Sequence, residues 1–327
     1  MKRKTSILFC AICLIVLALL VCACESAPKE SDGKVKIVTT IFPEYDFARQ
    51  IAGDRADVTM LIDSGDLHSY EPTLSDITKI SKCDLFVYIG GNSYSWVNSV
   101  LDKIKNENMT ALNLFEHVDK LYESSDGIYQ PDHEHEEDHE HEEDHEHSAL
   151  YDEHIWTSPV NAMKMCKAIA DELCKIDPQN AQYYNENYLE YTAKLAELDD
   201  DIRKCVSEAK GSTLVVADRF PFLYLCDEYD IGYFAAMSGC GSASDISLST
   251  VIALSDTLKN SSLDSVVVTE SSSGNITSAL KKQLGGYSFD TLVLHSCQYV
   301  GKGEIEDGAS YLSIMKQNVE ILREALN

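Results

Sequence analysis

The sequence predicts a two-lobed α/β protein, each lobe a mostly parallel four-stranded sheet flanked by helices, the two joined by one long rigid helix. Three observations carry this. Short apolar runs rich in β-branched residues alternate with helical stretches, the pattern of a parallel sheet covered on both faces. The alternation occurs four times, stops, and then occurs four times more. The interval between the two sets holds one helical face uninterrupted by glycine or proline.

In chain order, the first lobe has strand candidates at Val35 to Ile41, Val58 to Ile62, Leu85 to Ile89 and around Leu112. The second has them at Thr213 to Ala217, Ile231 to Ala235, Ser265 to Thr269 and Thr291 to His295. Between the lobes, Pro178 suits the first turn of a helix and Gly211 its exit. Tyr184, Tyr188, Tyr191, Leu195, Leu198, Ile202 and Cys205 recur at alternating steps of four and three, which keeps them on one helical face. A helix over 178–210 would be a rod of roughly 45 Å, long enough to run the length of a domain. The expected boundaries are thus a first lobe over 35–177, a linking helix over 178–210 and a second lobe over 211–327. A coiled-coil dimer helix is the alternative for the middle segment, but it calls for more heptads with charged flanks.

Acidic residues outnumber basic ones 54 to 27 over the 327 residues, giving a net charge of -27. Nucleic acid is therefore a poor partner, because phosphate recognition needs a basic footprint. Ten of the acids fall within 132–147, DHEHEEDHEHEEDHEH, together with His133, His135, His139, His141, His145 and His147. With no apolar residue the tract cannot build a packed element, so it reads as a solvated loop that captures divalent metal weakly at many points.

The N-terminus sets the compartment. Lys2, Arg3 and Lys4 precede an apolar run from Ile7 to Ala23, which ends in Val21-Cys22-Ala23-Cys24. A small residue before a cysteine at this place resembles a bacterial lipobox. Residues 1–23 are then a signal peptide, Cys24 the lipidated first residue, and 24–34 a tether at the extracytoplasmic face of the membrane. An uncleaved membrane anchor is the alternative. Seven cysteines follow Cys24, and an odd number leaves at least one thiol unpaired.

Four histidines lie outside the tract: His68, His117, His154 and His295. His117 sits in an ordinary polar mixture and reads as surface. His68 follows the second strand, His154 follows the long loop after the fourth, and His295 ends the last. Open parallel sheets bind ligands outside the carboxyl ends of their strands. Two lobes with those ends facing each other would gather three imidazoles into one cleft.

These residues carry a family resemblance. Gly65-Asp66-Leu67-His68-Ser69-Tyr70-Glu71-Pro72-Thr73-Leu74-Ser75-Asp76 and Asp152-Glu153-His154-Ile155-Trp156-Thr157-Ser158-Pro159 resemble the two histidine motifs of metal-binding proteins of ABC importers, in the zinc-uptake (ZnuA-like) branch. Thr39-Thr40-Ile41-Phe42-Pro43 and Gly90-Gly91-Asn92 with Trp96 fit the same pattern. The resemblance covers essentially the whole mature chain. It implies a monomeric binding protein that holds one metal between its lobes and hands it to a membrane permease driven by an ATPase.

The second lobe departs from that pattern. The family usually places His or Glu after the first strand of this lobe and Asp after the last, whereas this chain has Asp218-Arg219 and His295. Arginine stays protonated and cannot ligate a cation. Either Asp218 is a fourth ligand beside His68, His154 and His295, or that position is open. Glu270 matches a family carboxylate near the site and is expected to support a ligand histidine. The resemblance also implies a disulfide in this lobe, for which Cys240 and Cys297 are the expected pair.

Three neutral imidazoles favour Zn2+ over manganese, which prefers oxygen ligands, although copper and nickel also take imidazole. Three histidines with an open position also begin a zinc hydrolase. No HExxH, GxSxG, Walker loop or dinucleotide fingerprint accompanies them, so the expectation is a binding protein and not an enzyme. A surface adhesin with a structural metal is the remaining alternative.

Overall fold

A computed structural model describes residues 33–327, except 64, 66, 124–126, 129–149, 241–245 and 262. Cys24 and the six tract histidines lie outside the described residues.

All eight expected runs form strands. The first sheet contains β1 (Val35–Thr39), β2 (Ala56–Met60), β3 (Leu85–Tyr88) and β4 (Thr110–Asn113), and the second β5 (Thr213–Phe220), β6 (Gly232–Ser238), β7 (Ser265–Val268) and β8 (Asp290–Val293). The orders are β2-β1-β3-β4 and β6-β5-β7-β8, every pairing parallel. In each sheet the connections leave the first and third strands on opposite sides. This opens a crevice at the carboxyl ends of β1 and β3, and of β5 and β7. Among the boundaries that differ from expectation, two bear on the site. β5 continues to Phe220 through a register shift between Val216 and Arg219, which turns Asp218 toward β7. β8 stops at Val293, so His295 lies in the loop beyond the strand.

The helices of the first lobe are α1 (Phe42–Ala52), α2 (Leu74–Lys82), α3 (Ser95–Leu101) and α4 (Pro159–Ile176). A turn over Pro178–Asn180 leads into the linking helix α5 (Ala181–Glu208), whose 28 residues span about 42 Å. Six members of its expected apolar face are buried and Tyr188 is half-buried. Tyr184 donates its hydroxyl to Asp177 at 2.7 Å, pinning the start of α5. The second lobe adds α6 (Leu223–Tyr229), α7 (Leu248–Ser261), α8 (Asn275–Leu284), α9 (Lys302–Glu306) and α10 (Tyr311–Ala325).

One continuous apolar core links the sheets. Ile37 and Phe86 of the first sheet, Leu195 of α5, Val216 and Leu292 of the second sheet, and Tyr311 of α10 all belong to it. Strand alternation explains how the second sheet divides its faces. Leu214 and Val216 enter the shared core, while Val215 and Ala217 enter a smaller cluster with Leu254 and Leu280 of α7 and α8. Helix α10 ties the lobes further: Tyr311 packs edge-on against Phe47 at 4.8 Å between centroids, and its backbone amide donates to Asp46 at 3.0 Å. No helix among the described residues is long and apolar enough to cross a membrane.

Candidate metal centre

His68 sits in a short turn, Leu67–Ser69, between β2 and α2. Most of the surrounding motif serves to build that turn. Leu67 is buried beneath it. Thr73 caps α2 by accepting the Asp76 amide at 3.2 Å, and the Asp76 carboxylate returns to the Thr73 amide at 3.1 Å and to the Tyr70 hydroxyl at 3.0 Å. The His68 ring is fixed by a 2.9 Å hydrogen bond between Nδ1 and Ser93 Oγ.

Ser93 lies in the loop after β3, where Gly90 and Gly91 have φ of 103° and 93°. Gly91 is required for space as well as conformation, since a Cβ there would fall 2.5 Å from Glu153 Oε1. That oxygen accepts the Ser93 amide at 2.8 Å, while Oε2 is buried without a hydrogen-bond partner and lies 3.9 Å from His68 Nδ1. Burial raises the Glu153 carboxyl above the usual range, against the opposing effect of Ser93.

His154 is 1 % exposed. Its Nδ1 stands 3.1 Å from Asp152 Oδ1, and the same oxygen accepts the His154 backbone amide at 2.8 Å. Burial works against a charged ring, but the Asp152 carboxylate and then the Cys240 sulfur outweigh it and hold its pKa well above the usual value. The His68 and His154 rings face each other at 5.5 Å between centroids. Behind them, Trp156 donates its indole N–H to the Ser296 carbonyl of the second lobe at 2.7 Å.

Both rings open on a cavity of about 540 Å³ whose lining also includes Asp218, Arg219, Gly239 and Thr269. The second-lobe expectations fare differently. Asp218 lines the cavity, but its carboxylate is occupied: Oδ2 accepts the Thr269 hydroxyl at 2.9 Å and amide at 3.2 Å, and Oδ1 accepts the Arg219 amide at 2.8 Å. It ties β5 to the residue after β7 and belongs to neither ligand-atom group of the histidines. Glu270 does stand beside His295, 3.6 Å from Nδ1, and also accepts the Ser296 amide and hydroxyl at 2.8 and 2.6 Å. His117 is exposed.

His295 belongs to neither ligand-atom group that contains His68 or His154. Its backbone is clamped in both directions by Asn318, and Nδ1 accepts the Cys297 amide at 2.9 Å. Nor are Cys240 and Cys297 joined, both being free thiols. They follow opposite edge strands of the second sheet. Cys297 is buried in the shared core, and the Cys240 side chain is turned to His154.

Among the described residues, two groups of potential ligands have one ligand atom each within 4.8 Å of one another: His68, Glu153 and Cys240, and Asp152, His154 and Cys240. Such a mixture of imidazole, thiol and carboxylate suits a borderline-soft divalent cation. Sequence reasoning missed Cys240 and Glu153 as members of this group. The available signals were the position of Ser238-Gly239-Cys240 at the carboxyl end of a strand and the carboxylate directly before a motif histidine.

Comparison with known proteins finds relatives over nearly the whole chain. The family described as zinc-uptake complex component A, periplasmic, matches residues 37–325. The high-affinity zinc uptake system protein ZnuA of Bacillus subtilis is 32% identical, with 99% of this chain and 98% of that protein covered. The zinc-binding lipoprotein AdcA of Streptococcus pneumoniae is 31% identical over 98% of this chain, which spans 61% of the length of AdcA. Among solved structures, the Zn(II)-bound ZnuA-like domain of the S. pneumoniae protein superposes with a TM-score of 0.71 at 27% identity, covering 90% of this chain and 99% of the domain. The metal-dependent lipoprotein YcdH of B. subtilis gives 0.73 at 29% identity, covering 90% and 100%.

Proposed function

Because the chain belongs to the zinc-uptake complex component A family, we propose that it is an extracytoplasmic solute-binding protein that captures Zn2+ between its lobes and delivers it to an ABC permease. The observation that carries this reading is the facing pair His68 and His154, 5.5 Å apart at a cavity between the carboxyl ends of two parallel sheets. Each ring is held by its own partner, Ser93 for His68 and Asp152 for His154. Partners of this kind fix ring orientation before the ion arrives. Such preorganisation lowers the ordering cost of binding.

The accessory features follow from the same reading. Cys24 carries the lipid that keeps the monomer at the membrane, the 132–147 tract supplies weak auxiliary capture, and the ATPase of the importer drives uptake. Zinc is cargo here, taken up and released without turnover.

Equilibrium competition against a zinc chelator tests the proposal. One tight Zn2+ per chain is expected, with His68→Ala and His154→Ala each weakening it by at least about tenfold, the lower end of losses seen for supporting residues alone. Wild-type affinity in both variants would place the ion elsewhere, and absence of tight uptake would overturn the function.

A further inference from the structure

We infer that Cys240 is the second lobe's zinc ligand, completing with His68, His154 and Glu153 a site of two nitrogens, one sulfur and one oxygen. The inference rests on the zinc-capture reading and assigns the ligand that the second-lobe expectations left open.

Cys240 is the member common to both ligand clusters, the one that contains His68 and the one that contains His154. It is thus the side chain that links the group of one ring to the group of the other. A second, independent observation is Glu153. Its Oε2 is buried and lacks a hydrogen-bond partner, and the residue belongs to the cluster with His68 and Cys240. An unpaired buried oxygen costs free energy unless something occupies it, and a cation there would supply the missing partner. Asp152 then takes the orienting role behind His154.

The alternatives in the second lobe lie outside both clusters. Asp218 is bound to Thr269 and the Arg219 amide, and His295 belongs to neither cluster. Cys240 instead follows β6 directly, and Gly239 before it lets the chain pass close to the His154 ring. Tetrahedral ligands at Zn–N of about 2.0–2.1 Å and Zn–S of about 2.3 Å stand roughly 3.3–3.8 Å apart. Ligand atoms now within 4.8 Å therefore need to close by about an ångström. On binding, the Cys240 S–H gives its proton to solvent and the sulfur forms the metal bond as a thiolate. A thiolate in the shell also selects against manganese, which prefers oxygen ligands.

The test loads the full chain with Co2+ and then Zn2+. Wild-type protein should show a thiolate-to-cobalt charge-transfer band in the near ultraviolet, and Cys240→Ser should abolish it. The same variant should weaken Zn2+ by at least about a hundredfold, the upper end of supporting-residue losses, whereas His295→Ala and Cys297→Ser should preserve both the band and the affinity. A Cys240→Ser variant with the band and the affinity intact overturns the assignment while leaving zinc capture standing. A wild-type chain that takes up no Zn2+ overturns the function itself. Should Cys240→Ser fail to fold, X-ray absorption of the zinc-loaded wild type decides: a sulfur scatterer at about 2.3 Å supports the assignment, and a shell of nitrogen and oxygen only overturns it.

Discussion

Gly239 stands against His154 with no room for a side chain. A Cβ on it would lie 3.0 Å from Cε1 and 3.1 Å from Nδ1 of the ring, and 2.6 Å from the Phe220 carbonyl oxygen. The carbonyl belongs to β5 and cannot swing aside, so an added methyl would push the loop that carries Cys240 and the ring together. Gly239→Ala is therefore expected to weaken Zn2+ by about tenfold or more, as displacement of a supporting group does. Calorimetric titration checks this, and the melting temperature should fall much less than the affinity because the contact lies at the cavity wall.

How much of this was legible beforehand depends on the physics each residue obeys. The strands and α5 were readable because apolar periodicity is local: Tyr184 through Cys205 repeat at helical spacing whatever the rest of the chain does. His68 and His154 were readable because their motifs contain their own supports, such as the Thr73–Asp76 cap and the Asp152 carboxylate. His295, Cys240 and Asp218 depend on strand order instead. That β6 and β8 lie at opposite edges, and that a register shift in β5 directs Asp218 to Thr269, are long-range outcomes that spacing along the chain does not encode.

Glu44 gives a pH prediction. It is fully buried in α1, where Oε1 accepts the Thr40 hydroxyl and the Ile41 amide, while Oε2 has no partner. Burial pushes its pKa from 4.5 up to about 8. Between those values the unfolded carboxyl loses its proton while the folded one keeps it. Folding stability therefore falls as pH rises through that window, by up to about 1.4 kcal/mol per pH unit from this group, and levels off above it. Glu44→Gln keeps the shape and removes the titration. Urea unfolding of both proteins across the window should show the variant gaining on the wild type toward alkaline pH. Parallel stability profiles would mean that Glu44 ionises in the folded protein at its ordinary pKa.

Deleting residues 132–147 should leave one tight Zn2+ per chain and remove the weaker, multiple binding. Histidines in a tract without apolar residues pay ordering entropy when they bind, whereas His68 and His154 are already positioned by Ser93 and Asp152. Calorimetry of the deletion variant separates the two events. Loss of the tight one would move the principal site into the tract.

Metal loading should leave the lobes nearly fixed. Many solute-binding proteins close by hinge rotation about flexible connections, but α5 has no interior glycine or proline to absorb a bend. The lobes are also tied beside the cavity itself. Trp156 holds the Ser296 carbonyl at 2.7 Å, the Tyr224 hydroxyl donates to the Asp152 carbonyl at 2.9 Å, and the Tyr311 hydroxyl donates to the Trp156 carbonyl at 2.6 Å. A hinge motion would have to break these buried bonds and part the shared core, each lost bond costing on the order of 1–3 kcal/mol. Zn2+ should therefore act locally by drawing the ligand side chains together, so that the permease meets a changed cavity rim on an unchanged frame. Small-angle scattering of metal-free and Zn2+-loaded protein lacking residues 132–147 reads this directly: the radius of gyration should stay constant, and a decrease of more than about 1 Å, of the kind hinge closure produces, would show that α5 bends and that the frame transmits the signal.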